Sequence, residues 1–404
     1  MQMEYIGAYL RFKREQQHKD AGALCLSCNL TRMQLHSIEQ GKSEAHPNTI
    51  KRICDYLNID FIALFQHQEK YRELLEESFI ALIYMRKDEQ QMLMQKIEAL
   101  HFEHSILYPQ YLLIHLMYVA IHEGAVEKYQ SLLKQCSYFI DVLEPRHQFI
   151  YYLYKGYYQM LSGQLEESLH TLCFADGLSV LEHREILYSM YGRLYYYRRE
   201  IVLAIEYYKK AYELLEKKWN INRLLATQCA LATCYNRMKE YDVALQRLMD
   251  TLKLAKQYKN TAVIERTYYE LVMNRFMVRD YHSVIQLGEK AITIHHQPQY
   301  LYFLISYASV KENEMEKAYL WLKQRLKQDT NALLQQLLTY VYHMAQGTSV
   351  LPYLVELIQQ LEKNQMDTCE LYRFLLEDLA NLYHDAGCYQ KESYCLRKLM
   401  QMGY

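Results

Sequence analysis

Twelve glycines and five prolines in 404 residues are the tightest constraint on what this chain can build. Average usage would be roughly 7% and 5%. Hairpins and tight crossovers need glycine for positive φ and proline for fixed φ. A chain so poor in both must run as helices joined by short polar turns, and the expected fold class is all-α. With 51% apolar residues a large core can form and global disorder is excluded. The length suits two or three domains.

The sharpest local pattern lies in residues 1–66. Ile6, Leu10 and Phe12 share an apolar stripe, with Arg11, Lys13 and Arg14 expected on the outer side of the same helix. Asp20 is a good N-cap for a second helix that buries Leu24 and Cys28. Asn29 tolerates the left-handed conformation of a tight turn, Leu30 plugs it, and Thr31 caps a third helix running to Gln40. That helix buries Leu35 and Ile38 and leaves Arg32, Gln34, His36 and Ser37 outward; Gly41 ends it. Two short helices across a tight turn, the second polar outside, follow the helix-turn-helix plan.

The stretch Asn29-Leu30-Thr31-Arg32, Leu35 through Lys42, then Pro47, Ile50, Ile53 and Leu57-Asn58-Ile59-Asp60 resembles the Xre (Cro/CI-type) DNA-binding domain. Two positions depart from it: Ala21 stands where that family often has a phosphate-clamping Gln, and Cys25 where a small residue, usually Ala, packs between helices. The resemblance implies that Thr31, Arg32, Gln34, His36 and Ser37 face base edges in the major groove, Arg suiting guanine and Gln adenine. Lys42, Lys13 and Arg14 are then expected on phosphates. Residues 1–65 hold eight Lys/Arg against seven acids, and the whole chain 46 against 47, so ordered motif rather than bulk charge carries this expectation.

From about Tyr71 onward amphipathic helices follow one another. Small residues recur beside aromatic ones: Gly156, Gly163 and Ala175; Gly192, Tyr195, Ala204, Tyr208 and Ala211; Ala232, Tyr235, Tyr241 and Ala244; Val272, Tyr281 and Ala291. Later units are anchored on Tyr307 and Ala318, and on Ala380, Tyr383, Gly387 and Tyr389. The lead positions step by 36, 40 and 40 residues. The pattern resembles tetratricopeptide repeats lengthened beyond the usual roughly 34 residues, with eroded copies at 73–100, 108–143 and 333–362. Residues 67–404 are therefore expected to form a right-handed solenoid of about eight or nine helical pairs. Its concave face, lined by the first helix of each pair, should present Tyr157, Arg193, Tyr196, Thr233, Asn236, Arg237, Met273 and Asn381 to an extended peptide. Asparagine amides can hold a peptide backbone and arginine a carboxylate; most of the 41 tyrosines serve packing.

No glycine-rich phosphate loop, HExxH or Gly-x-Ser-x-Gly occurs, so no enzymatic activity and no cofactor are expected. Cys25 and Cys28 form a CxxC without a second ligand pair and read as core, not metal, residues. His101/His104 and His295/His296 are pairs without acidic partners at ligand spacing. Ten scattered cysteines suit a reducing compartment. Met1 to Gln17 has no signal-peptide core, and the longest apolar run, Tyr111 to Ile121, is too short to span a bilayer. A cytoplasmic protein without membrane contact is expected.

A DNA reader joined to such repeats resembles the Rap/Rgg/NprR/PlcR/PrgX superfamily of peptide-pheromone receptors of Gram-positive bacteria. The resemblance implies a homodimer binding double-stranded DNA at an inverted-repeat operator and sensing a short signalling peptide. The alternative is a repeat-based adaptor that binds a response regulator or other protein, with a non-peptide effector or none.

Overall fold

The computed structural model describes residues 5–43, 45–122, 126–178, 180–294, 299–325, 332–363 and 370–402; the His295/His296 pair lies outside them. Among the described residues the structure is all-helical, with no strand. The first helices are α1 (Ile6–Gln16), α2 (Ala21–Cys28), α3 (Arg32–Glu39) and α4 (Pro47–Tyr56). Among the described residues eighteen more follow: α5 (Gln68–Ile83), α6 (Lys87–Glu98), α7 (Tyr108–His122), α8 (Val126–Ser137), α9 (Pro145–Leu161), α10 (Leu165–Gly177), α11 (Arg184–Tyr197), α12 (Ile201–Lys217) and α13 (Ile221–Arg237). They continue as α14 (Tyr241–Gln257), α15 (Thr261–Met277), α16 (Tyr281–Ile294), α17 (Gln299–Lys311), α18 (Met315–Arg325), α19 (Ala332–Ala345), α20 (Leu351–Lys363), α21 (Glu370–Asp385) and α22 (Tyr389–Gln401).

Local chemistry sets the ends of the early helices. The Asp20 carboxylate accepts from Ala23 N–H at 2.7 Å, and Asn29 takes the left-handed conformation at φ 54°. Gly7 sets the approach of α1 to α3: a Cβ there would lie 1.8 Å from the Ile38 carbonyl oxygen. Around this contact Leu10, Leu24, Cys28, Leu35, Ile38, Ile50 and Ile53 are buried.

In the repeats most of the predicted small positions are packing positions, whereas Gly163 and Gly387 are exposed turn residues at φ 76° and 68°. Gly156, Ala204, Ala211, Ala232, Ala244, Val272 and Ala291 are all buried, and at Gly192 a Cβ would sit 2.7 Å from the Tyr208 ring. A finer period emerges that the residue pattern alone did not reveal. Arg199, Trp219, Lys239, Lys259 and Arg279, spaced by twenty residues, each adopt positive φ just past a helix end. The following N–H groups of Glu200, Asn220, Asn260 and Asp280 reach back to the carbonyls of Tyr195, Leu215, Ala255 and Arg275 at 2.9–3.1 Å. This is the Schellman closure, which satisfies helix-end carbonyls. Here side-chained residues occupy its left-handed position, and so the chain needs few glycines.

The chain forms two compact units, 1–238 and 239–404. Helices α1–α4 pack against the helices that follow residue 66. Phe12 meets Tyr108, Tyr138 and Phe139 with ring centroids 5.2–5.7 Å apart, and the Tyr9 hydroxyl donates to the Glu103 carbonyl at 2.6 Å. One continuous core runs from Ile6 to Leu194. Within the same unit the end of α5 is closed from far along the chain. Asn220 and Arg223 donate to the Ile83 carbonyl, and Asn222 to those of Tyr84 and Met85. In the second unit the Asp378 carboxylate accepts from the hydroxyls of Tyr307 (2.7 Å) and Tyr340 (3.0 Å). It lies 3.8 Å from the Lys311 ammonium.

Candidate functional site

The α2–α3 pair presents a surface decided by capping and burial. The Thr31 hydroxyl accepts from Gln34 N–H at 3.1 Å, while the Gln34 amide oxygen accepts from Thr31 N–H at 2.9 Å. This capping box ties the Gln34 side chain to the helix start. Arg32 and His36 are exposed, Ser37 is half-buried, and Lys42 is exposed just beyond Gly41. The Arg32 guanidinium reaches back over Gly22, within 3.1 Å of where a Cβ would stand. Met33, 81% exposed on the first turn of α3, adds an apolar side chain to this surface that is not among the expected contacts. Its offset from the Leu35/Ile38 face was the available signal. Lys51 and Arg52 on α4 add exposed cations.

Two expected phosphate ligands have other tasks here. Arg14 makes a two-pronged pair with Glu39 (Nε–Oε1 2.7 Å, Nη2–Oε2 3.0 Å), with side chains 12% and 8% exposed. The hydrogen bond to Glu39 holds the guanidinium above its ordinary pKa; the pair fastens α1 to the end of α3. Lys13 lies 5.6 Å from the Tyr9 ring and 5.7 Å from that of Tyr108, and burial lowers its pKa. Both side chains are half-buried, Arg14 against α3 and Lys13 against the start of α7.

In the first unit the expected ligand residues form a ladder across first helices. Arg193 on α11 stacks over Tyr157 on α9, 4.9 Å from the ring centroid. Arg237 on α13 stacks over Tyr196 on α11 at 5.6 Å and donates to its hydroxyl at 3.2 Å. Thr233 is turned inward on its own helix, donating to the Cys229 carbonyl, and Asn236 is one residue from Arg237 on α13. In the second unit Met273 lines an apolar cavity of about 200 Å³ with Phe276, Tyr300, Phe303, Leu333 and Phe374. Asn381 is exposed on α21 and does not line that cavity.

Cys25 and Cys28 are buried free thiols. His101 and His104, contrary to the isolation expected of them, flank Glu103 at 3.3 and 3.8 Å, on the surface. No group of three or more His, Cys, Asp or Glu suited to a metal occurs among the described residues. No helix there is long and apolar enough to cross a membrane.

No family model and no curated protein matches the sequence. Among solved structures the chain is similar to a Rap protein complexed with Competence and Sporulation Factor: 17% identity, TM-score 0.66, covering 83% of this chain and 98% of that one. It is similar to NprR in complex with its cognate peptide NprX: 14% identity, TM-score 0.53, covering 83% and 97%. It is also similar to aspartyl phosphate phosphatase F from Bacillus subtilis: 16% identity, TM-score 0.58, covering 82% and 93%. These likenesses are of fold, a tetratricopeptide-like helical solenoid.

Proposed function

We propose that this chain is a sequence-specific DNA-binding transcriptional regulator whose repeats sense a short signalling peptide. The carrying observation is the outward surface of α3 and its flanks. Thr31 and Gln34 set the helix start, and Arg32, His36, Ser37 and Lys42 stand together above a buried apolar face. That arrangement suits insertion of an Xre-type recognition helix into a major groove, with Arg32 on a base edge and Lys42 on phosphate. Arg14 and Lys13 are better assigned to fixing α1 than to DNA. One such helix is a small interface, so the active form is a homodimer on an inverted-repeat operator, working in the cytoplasm. The peptide reading is supported by the Arg193–Tyr157 and Arg237–Tyr196 ladder, with Thr233 and Asn236 beside it, by the Met273 cavity, and by the fold shared with NprR in its peptide complex.

Anisotropy and footprinting with double-stranded fragments flanking the gene test the DNA reading. Arg32→Ala is expected to cost about 1–3 kcal/mol of specific binding and relax one base position. Lys42→Ala is expected to weaken all sequences alike and flatten the salt dependence. An Arg32→Ala protein with unchanged affinity and preference overturns the assignment. A second reading, a repeat-based adaptor that binds a response regulator, is favoured by the fold shared with aspartyl phosphate phosphatase F. It predicts no operator footprint.

A further inference from the structure

A second cavity, of about 240 Å³, opens between the first helices of three successive pairs in the first unit. α5 contributes Arg72, Glu73, Leu75, Glu76 and Phe79, α7 contributes Gln110, Leu113 and Ile114, and the start of α9 supplies Glu144, Arg146 and His147. At roughly 30 Å³ per water it has room for about eight waters. That suits a ligand of side-chain size and falls below the usual drug-sized pocket. Leu75, Phe79, Leu113 and Ile114 give it an apolar wall.

Its polar side is unbalanced. Arg146 is held between two carboxylates, Glu76 at 2.8 and 3.2 Å and Glu144 at 3.2 Å, with its guanidinium 5.5 Å over the Phe79 ring. Three glutamates, 73, 76 and 144, face two arginines, 72 and 146, leaving one excess negative charge. His147 is only 5% exposed. Its Nδ1 is buried without a hydrogen-bond partner, 3.8 Å from the Glu144 carboxylate. A buried polar atom left unsatisfied costs about 1–3 kcal/mol, so it marks a place where a partner belongs. Burial, with the Arg146 charge beside it, pushes the His147 pKa down to about 4, so near neutrality the ring is uncharged and can accept a hydrogen bond.

We propose that this cavity binds a single cationic head, guanidinium or primary ammonium, on a short aliphatic arm. The head lies against Glu73 and Glu144 and donates to His147, while the arm packs along Leu75, Phe79 and Ile114. The site is separate from the ligand residues proposed above and does not depend on the peptide reading. The cation is either a free small amine or the Lys or Arg side chain of a polypeptide.

Titration calorimetry of the full chain with butylguanidinium, butylammonium and acetyl-Ala-Arg-Ala-amide tests the site, with pentanoate as the anionic control. The expected result is saturable binding of the cations but not of pentanoate, weakened more than about tenfold by Glu73→Gln and by His147→Phe. Glu73 is a surface residue, so its variant remains informative should the buried His147→Phe protein melt early. Tighter binding of the tripeptide assigns the site to a polypeptide side chain; tighter binding of butylguanidinium assigns it to a free amine. The proposal is overturned if no cation binds at roughly millimolar concentration, if pentanoate binds equally, or if binding ignores both substitutions.

Discussion

At the scale of single residues, two positions show how little space or charge the fold has to spare. Gly7 has no room for a side chain: a methyl group there would meet the Ile38 carbonyl at 1.8 Å, so α3 would have to retreat from α1 by more than an ångström. Gly7→Ala is expected to destabilise the N-terminal helices by about 3 kcal/mol and, on the proposed DNA-binding reading, to abolish specific DNA binding. Thermal melting beside anisotropy checks this, and an unchanged melt would mean that α1 can shift freely. Glu185 is 1% exposed. Burial alone would raise its carboxyl, but His183 and Lys218, the latter at 2.7 Å, hold it down to about 2 from an ordinary 4.5. Its folded value lies below its unfolded one, so its contribution is complete above pH 4.5 and is lost as pH falls toward 2. Glu185→Gln is expected to cost about 1–3 kcal/mol near neutrality. In urea titrations the gap from the parent should close substantially by roughly pH 3.

At the scale of elements, the recurring unit is a helix and its closing turn, twenty residues long. Arg199, Trp219, Lys239, Lys259 and Arg279 hold the left-handed position of that turn, where a side chain costs about 1–2 kcal/mol. Lys259→Gly is expected to stabilise the second unit by about 0.5–1 kcal/mol. The gain is partial because glycine's freedom in the unfolded chain takes back about 0.4–1 kcal/mol. Urea midpoints check it, and a loss of stability would mean that the Lys259 side chain makes a contact worth more than the strain. The long-range closure of α5 by Asn220, Asn222 and Arg223 is a different device. The last four carbonyls of a helix lack intrahelical donors, and here residues some 137–140 positions away supply them.

At the scale of the whole molecule, the N-terminal helices are not a bead on a string. Phe12 and Tyr9 place them in one core with α7 and its neighbours, so a ligand that reshapes the first unit acts on the same packed body that carries α3. A ligand shifts such a body only by binding one arrangement better than another. The peptide reading therefore predicts that Arg193→Ala lowers affinity for the cognate peptide by more than about tenfold while leaving peptide-free DNA binding intact. Calorimetry with peptides encoded beside the gene checks it; normal binding by the variant would move the pocket away from the α9–α11 ladder.

What could be read from the chain was whatever is decided within a turn or two of helix. The scarcity of glycine and proline gave the all-helical class. The Asp20 and Thr31 caps, the left-handed Asn29 and the buried Leu35/Ile38 face follow from contacts three or four residues apart. The small positions at 156, 192, 232 and 272 likewise declare themselves by spacing. Tertiary structure decided everything that joins distant segments. It gave Arg14 to Glu39 twenty-five residues on, laid Lys13 against Tyr108, set Arg193 over Tyr157, and brought Glu76, Arg146 and His147 to one cavity. Hydrophobic periodicity tells which face of a helix is buried but not which helix buries it, and a cation reads the same in sequence whether its partner is solvent, a phosphate or a glutamate brought near by folding.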